Sequence, residues 1–102
     1  MIENNRKYAL VTGGSSGMGL EYVRQLAAKG YNIIIVALFQ NETDAVAAQM
    51  QVLYPDLDFL SIGMDLSTAD AARELYEKVF ELRPGAMVEV LINNAGVISV
   101  AH

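Results

Sequence analysis

Apolar positions along this chain alternate between two patterns. Tyr8 to Val11 is a short apolar run and predicts a first strand. From Gly17 to Lys29 the apolar residues recur at helical spacing, with Leu20, Val23, Leu26 and Ala27 on one face. Gly30 then suits the left-handed position after a helix, with Tyr31 able to pack back. Ile33-Ile34-Ile35-Val36-Ala37-Leu38 is unbroken and β-branched, the pattern of a strand buried on both faces of a parallel sheet. Gln40 to Thr43 reads as a polar link. Val46, Met50 and Leu53 mark a second helix, closed by Pro55. Asp58 to Met64 predicts a third strand. Ser67 with Asp70 three residues on resembles a capping box with Asp in place of Glu. Leu75, Val79 and Leu82 stripe a third helix that Pro84-Gly85 ends, and Val88 to Ile92 is a fourth strand. Strands alternating with helices imply an α/β fold, a parallel sheet with right-handed crossovers and helices on both faces. The expected strand order is 3-2-1-4.

The chemistry begins where the first strand meets the first helix, at Thr12-Gly13-Gly14-Ser15-Ser16-Gly17-Met18-Gly19. A strand that turns into a helix through glycines leaves free backbone N–H groups at the helix start. Together with the positive end of the helix dipole they form an anion site. Glycine meets the unusual φ/ψ of such a turn and lets a phosphate approach. Gly14 and Gly19 also have the outer spacing of a P-loop, but Leu20 and Glu21 follow where Lys and Ser/Thr are required. A nucleoside triphosphatase is therefore disfavoured, and the loop reads as the holder of a dinucleotide pyrophosphate. The bland alternative is a structural turn.

Composition narrows the partners. The 102 residues suffice for one small domain, and 53% of them are hydrophobic. A net charge of −5 argues against nucleic acid or an anionic membrane as partner. There is no cysteine, hence no disulfide framework or thiolate chemistry, which suits a cytoplasmic setting. The start, Met1 to Lys7, is polar and lacks the apolar segment of a signal peptide. The longest apolar run, Ile33 to Phe39, is too short to span a bilayer.

In sheets of this kind ligands sit outside the carboxyl ends of the strands. Three segments are expected there: the glycine turn, Asp65-Leu66 after the third strand, and Asn93-Asn94-Ala95-Gly96 after the fourth. Asp65 can accept a hydrogen bond from an adenine amino group. Asn93 can tie strand ends together, and Ala95 and Gly96 leave room for a ribose. Alone, Asp65 could be a solvated strand-end carboxylate, and the Asn/Gly stretch an ordinary turn. Their expected meeting at one edge favours the functional reading.

With these residues in hand, the chain resembles the short-chain dehydrogenase/reductase family over essentially its whole length. The resemblance implies a Rossmann-like sheet that binds NAD or NADP. It implies that Gly13, Ser15, Ser16, Gly17, Met18 and Gly19 line the pyrophosphate and ribose, and that Asp65 and Leu66 flank the adenine. Asn93, Ala95 and Gly96 would stabilise the central sheet and contact the middle of the cofactor.

Two features depart from the family pattern. At the end of the second strand, an acid usually binds the 2′-OH of NAD, or a base the 2′-phosphate of NADP. Here the residues are Leu38-Phe39-Gln40, and Glu42 and Asp44 lie too late in sequence. Leu38 and Phe39 could pack on adenine or belong to the core. The family's chemistry also uses a serine and a Tyr-x-x-x-Lys pair in the second half of about 250 residues. Tyr8, Tyr22, Tyr31, Tyr54 and Tyr76 all lack a lysine four residues on. The expectation is an N-terminal cofactor-binding half over residues 1–102, with the catalytic half absent on the C-terminal side. Such a piece of a hydride-transferring oxidoreductase would be inactive alone. The alternatives are a stand-alone dinucleotide-binding or regulatory module, and a structural protein with a vestigial loop.

The remaining candidates read as packing or solvation. Tyr76 and Phe80 form an i,i+4 aromatic pair expected to pack. Met18, Met50, Met64 and Met87 read as core filler. His102 reads as a frayed end, and Glu74, Glu77 and Glu81 as a solvated helix face. Without a fifth strand, Val88 to Ile92 would leave an apolar edge guarded only by Glu89. A homo-oligomer is expected through that edge or through the tail Val97 to Ala101.

Overall fold

A computed structural model of the chain describes residues 7–94. The elements run β1 (Lys7–Thr12), α1 (Gly17–Ala28), β2 (Asn32–Ala37), α2 (Gln40–Leu53), β3 (Phe59–Gly63), α3 (Ala71–Leu82) and β4 (Met87–Asn93). They build a four-stranded parallel sheet in the order β3-β2-β1-β4, as the sequence predicts. β2 is buried at every position, which explains its uninterrupted apolar run. Its two faces feed two cores. Ile34 and Val36 join Leu10, Leu60 and Ile62 under Leu75 and Val79 of α3. Ile33 and Ile35 join Ala9 and Val11 under Val23 of α1 and Val46 of α2.

A bulge in β4 keeps charge out of this second core. Tyr8 pairs with Val88 and Ala9 with Val90, so Glu89 is left over. Val90 and Ile92 then follow Ala9 and Val11 onto the α1/α2 face. The end of α1 is the expected left-handed cap. Gly30 has φ 94°, its N–H bonds Ala27 O at 2.9 Å, and Tyr31 N–H bonds Leu26 O at 3.2 Å.

Several expectations need correction. The supposed link Gln40 to Thr43 is the first turn of α2. Thr43 is fully buried there, with its hydroxyl on Gln40 O at 3.0 Å, and Gln40 Oε1 accepts Gly63 N–H at 2.8 Å. The burial of Thr43 and the bond from Gln40 to β3 decide the helix start, which polarity alone concealed. The inward stripe of α2 is therefore Thr43, Val46 and Met50, and Leu53 is 67% exposed. The capping box does not form. Both the amide and the hydroxyl of Ser67 bond Asp65 Oδ1, at 2.9 and 2.7 Å, and α3 starts only at Ala71. Tyr76 and Phe80 lie on the exposed side of α3, because Ala71, Leu75 and Val79 take its inward face. Of the methionines, Met50 belongs to the core under α1 and α2 and Met64 packs in part against the core under α3, whereas Met18 and Met87 are exposed. Ala95, Gly96, the tail and His102 lie outside the described residues. Among the described residues no helix is long and apolar enough to cross a membrane.

Candidate functional site

β1 delivers Thr12 to the carboxyl edge of the sheet, fully buried. The Thr12 hydroxyl lies 3.4 Å from Ile92 O and 3.2 Å from Asn93 Oδ1, and accepts the Asn94 N–H at 3.0 Å. It thereby fastens the end of β4 to the end of β1. The chain then turns at Gly13, with φ 66°, and Gly14 N–H bonds Val36 O at 3.2 Å. Two further glycines have distinct reasons. A Cβ on Gly19 would lie 1.8 Å from Gly13 O, so α1 starts in direct contact with the turn that precedes it. Gly17 has φ 59°, and a Cβ there would meet nothing within 4 Å. Its surroundings are open, as a cradle for a ligand requires.

The first turn of α1 has neither a side-chain cap nor an acidic residue. Its leading N–H groups lack intrahelical partners by helix geometry, and the dipole adds positive potential. Beside it opens a cleft of about 390 Å³ walled by Gly13, Ser15 and Ser16, by Leu38 and Phe39, and by Asp65 with its neighbours. That volume is in the range of small-ligand pockets. Leu38 and Phe39 are 57% and 55% exposed, so neither is core and both offer apolar surface to the cleft. The Ser67 hydroxyl and amide hold the Asp65 carboxyl below the usual carboxylate range, which keeps it an acceptor.

The structure thus gathers Gly13, Ser15, Ser16, Leu38, Asp65 and Leu66 around one cleft. Gly17 and Met18 stand exposed at the helix start beside it, while Gly19 is buried. Asn93 lies at the same sheet edge but binds Thr12 rather than lining the cleft. Sequence reasoning missed Glu42, which lines the cleft and accepts the Ser15 hydroxyl at 3.2 Å on Oε1. It seemed too distant only because residues 40–43 read as extended link. A helix rises just ~1.5 Å per residue, which brings position 42 back over the strand ends. Asp44 points elsewhere, to Gln40 Nε2 at 2.9 Å and the Ser61 hydroxyl. Asn94 was also missed as a contact. Its Nδ2 reaches Gly13 O at 3.5 Å, so the fourth strand end touches the glycine turn.

Comparison with known proteins agrees with this geometry. A family model described as short chain dehydrogenase matches residues 7–102. A very-long-chain 3-oxoacyl-CoA reductase of Podospora anserina is 38% identical over 99 residues, covering 91% of this chain and 28% of the relative. Among solved structures, the Pseudomonas aeruginosa RhlG/NADP active-site complex matches with TM-score 0.77 and 34% identity, over 89% of this chain and 35% of its own. The L-sorbose reductase of Gluconobacter frateurii, complexed with NADPH and L-sorbose, matches with TM-score 0.79 and 28% identity, over 89% of this chain and 34% of its own. The chain therefore spans about a third or less of each of these proteins.

Proposed function

This chain belongs to the short-chain dehydrogenase family, and from that premise we propose that its glycine turn and cleft bind the adenosine and pyrophosphate portion of NAD or NADP. The observation that carries the proposal is the uncapped start of α1, with open space where a Gly17 side chain would stand, beside a cleft of about 390 Å³. In this reading the amides following Gly13, Ser15, Ser16, Gly17, Met18 and Gly19 hold the pyrophosphate. Leu38 and Leu66 give apolar walls to the adenine, and Asp65 accepts its amino group. Asn93, Ala95 and Gly96 meet the middle of the cofactor.

Residues 1–102 then serve as the N-terminal dinucleotide-binding half of an oxidoreductase that moves hydride between nicotinamide and a carbonyl or alcohol carbon. The cofactor supplies the hydride chemistry, while this part of the protein binds and orients it. The five tyrosines lack a lysine four residues on, so no positioned proton donor of the family type lies in this sequence. The 102-residue chain alone should turn over nothing. Nicotinamide absorbance followed over a panel of carbonyls and alcohols checks this, and turnover that survives repurification overturns it.

Binding of NAD(P) should be weak, with Kd on the order of millimolar, about −4 kcal/mol. Gly17→Val should abolish it, because the new side chain would fill open space at the phosphate cradle. Calorimetry on a variant whose melt shows it folded decides the matter, and unaltered binding refutes the site.

β4 is an edge strand among the described residues, with Met87 and Leu91 exposed and the aromatic pair Tyr76 and Phe80 exposed on α3. These features support self-association through the β4 edge or the tail beyond it. Light scattering during size exclusion tests it, and a clean monomer at high micromolar concentration would overturn it.

A further inference from the structure

At the mouth of the cleft, the position reached by the second strand carries no selecting charge: Leu38 and Phe39 are apolar. The charge comes from one helical turn later. α2 follows β2 with only two residues between, and its first turn is pinned from three sides. Thr43 is buried, Gln40 Oε1 takes the Gly63 N–H, and Gln40 Nε2 bonds the Ser61 hydroxyl at 3.0 Å. A Cβ on Gly63 would stand 2.4 Å from Gln40 N, so the end of β3 abuts the helix start directly. Glu42 is thus carried on a rigid base, and its carboxylate reaches across to the Ser15 hydroxyl in the glycine turn. It is the one acidic residue in the first turn of α2, where the helix dipole favours it.

Building on the dinucleotide reading above, we propose that Glu42 makes this site select NAD(H) and reject NADP(H). A carboxylate at this place can accept a hydrogen bond from a ribose 2′-hydroxyl, whereas a 2′-phosphate would bring up to two further negative charges to it. The cleft offers that phosphate no cation in return. Among the described residues no Lys, Arg or His lines it, and its second ionisable group, Asp65, is also an acid. The positive end of α2 carries Glu42 in its first turn, and that negative charge offsets the dipole there. The solved neighbours described above are complexes with NADP and NADPH.

The test is a titration of the 102-residue chain with NAD and with NADP by ligand-observed NMR, in the wild type, Glu42→Gln, Glu42→Lys and Ser15→Ala. NAD should bind about tenfold tighter than NADP to the wild type. Glu42→Gln should shrink that ratio to about twofold, and Glu42→Lys should invert it. Ser15→Ala should keep the preference, because the charge remains. The wild-type ratio should narrow as salt is raised, a response that a merely structural role for Glu42 would not produce. Equal or tighter binding of NADP to the wild type overturns the inference, as does a ratio unmoved by Glu42→Gln. If neither nucleotide binds, the dinucleotide reading itself falls.

Discussion

At the edge where the strands begin, polar groups satisfy one another. At the edge where they end, the acids Glu42 and Asp65 are left facing solvent. The first edge is held by Asp58, which accepts Arg83 Nη2 at 3.0 Å on Oδ1, and also Arg83 Nε and the Tyr8 hydroxyl on Oδ2. Asn32 adds a second clasp, donating to Lys7 O at 3.1 Å and accepting the Asp58 N–H at 2.8 Å. Together they tie the starts of β1 and β2 to the residues before β3 and after α3. The Arg83 guanidinium holds the Asp58 carboxyl below its ordinary range, and burial, then the bond to Asp58, pushes the Tyr8 hydroxyl up to about 12. At the other edge the charged groups Glu42 and Asp65 are exposed, and the start of α1 is uncapped. The same parallel sheet thus engages its charged groups in cohesion at one end, whereas at the other Thr12 and the asparagines fasten the strands and the acids Glu42 and Asp65 stay exposed.

The sharpest challenge to that division is Gly19, which sits at the open edge yet should matter most to folding. Gly19→Ala would put a methyl 1.8 Å from Gly13 O, with Asn94 Nδ2 close on the other side. Neither backbone can yield without separating α1 from β1. We expect a loss of at least ~3 kcal/mol, or no folded protein, in denaturant melts. A stable variant would show that the turn relaxes, and that the open edge has no structural core of its own.

A crossed pair of substitutions tests the comparison directly. Asp58→Ala leaves Arg83 and the Tyr8 hydroxyl without their shared acceptor. It should cost about 2 kcal/mol, less than a fully buried pair because both side chains are partly exposed, and should leave nucleotide affinity alone. Asp65→Ala should do the reverse, leaving the melt in place and weakening NAD(P) several-fold. If Asp58→Ala weakens binding as much as stability, the two edges are coupled through the strands.

Titration of stability at alkaline pH reports on the first edge alone. Asp58 has a lowered folded pKa, so its contribution is present above the unfolded value of about 3.9 and is lost as pH falls below it. Tyr8 has a raised one, so its contribution is intact below about 10 and fades as pH climbs toward 12. With solvent screening of the hydroxyl allowed for, the alkaline loss should be about 1 kcal/mol. Tyr8→Phe should remove this slope between pH 10 and 12 in thermal melts. A slope that survives in the phenylalanine variant would assign it to another group.

The two edges also differed in how far the sequence revealed them. The open edge was largely legible, because glycines at a strand-to-helix turn and an acid after an apolar run are local patterns. So was the sheet order, since strands alternating with helices imply a doubly wound parallel sheet, with the all-apolar Ile33 to Val36 as a strand buried on both faces. What escaped depends on partners distant in sequence. Tyr8 and Asp58 are separated by 50 residues, and Asp58 and Arg83 by 25, with no spacing rule to join them. Glu42 escaped for a milder reason. The contacts that start α2 at Gln40 come from β3, so a polar first turn looked like a loop until the sheet was assembled.

The smallest effect is expected at a contact between the glycine turn and α2 across the cleft, and its smallness is informative. The Ser15 hydroxyl bonds Glu42 Oε1 at 3.2 Å, and the bond is exposed. Water can replace either partner, so Ser15→Ala exchanges one solvated arrangement for another. The cost should be at most ~0.5 kcal/mol, which corresponds to about 2–4 °C in melting temperature for a chain of this size. Affinity for NAD should change by less than about threefold, since Glu42 keeps its charge and its place on α2. A shift of 8 °C or more would mean that the bond latches the glycine turn to α2 before any ligand arrives. The open edge would then share the cohesion of the closed one, and scanning calorimetry of this single variant against the wild type is enough to tell the two apart.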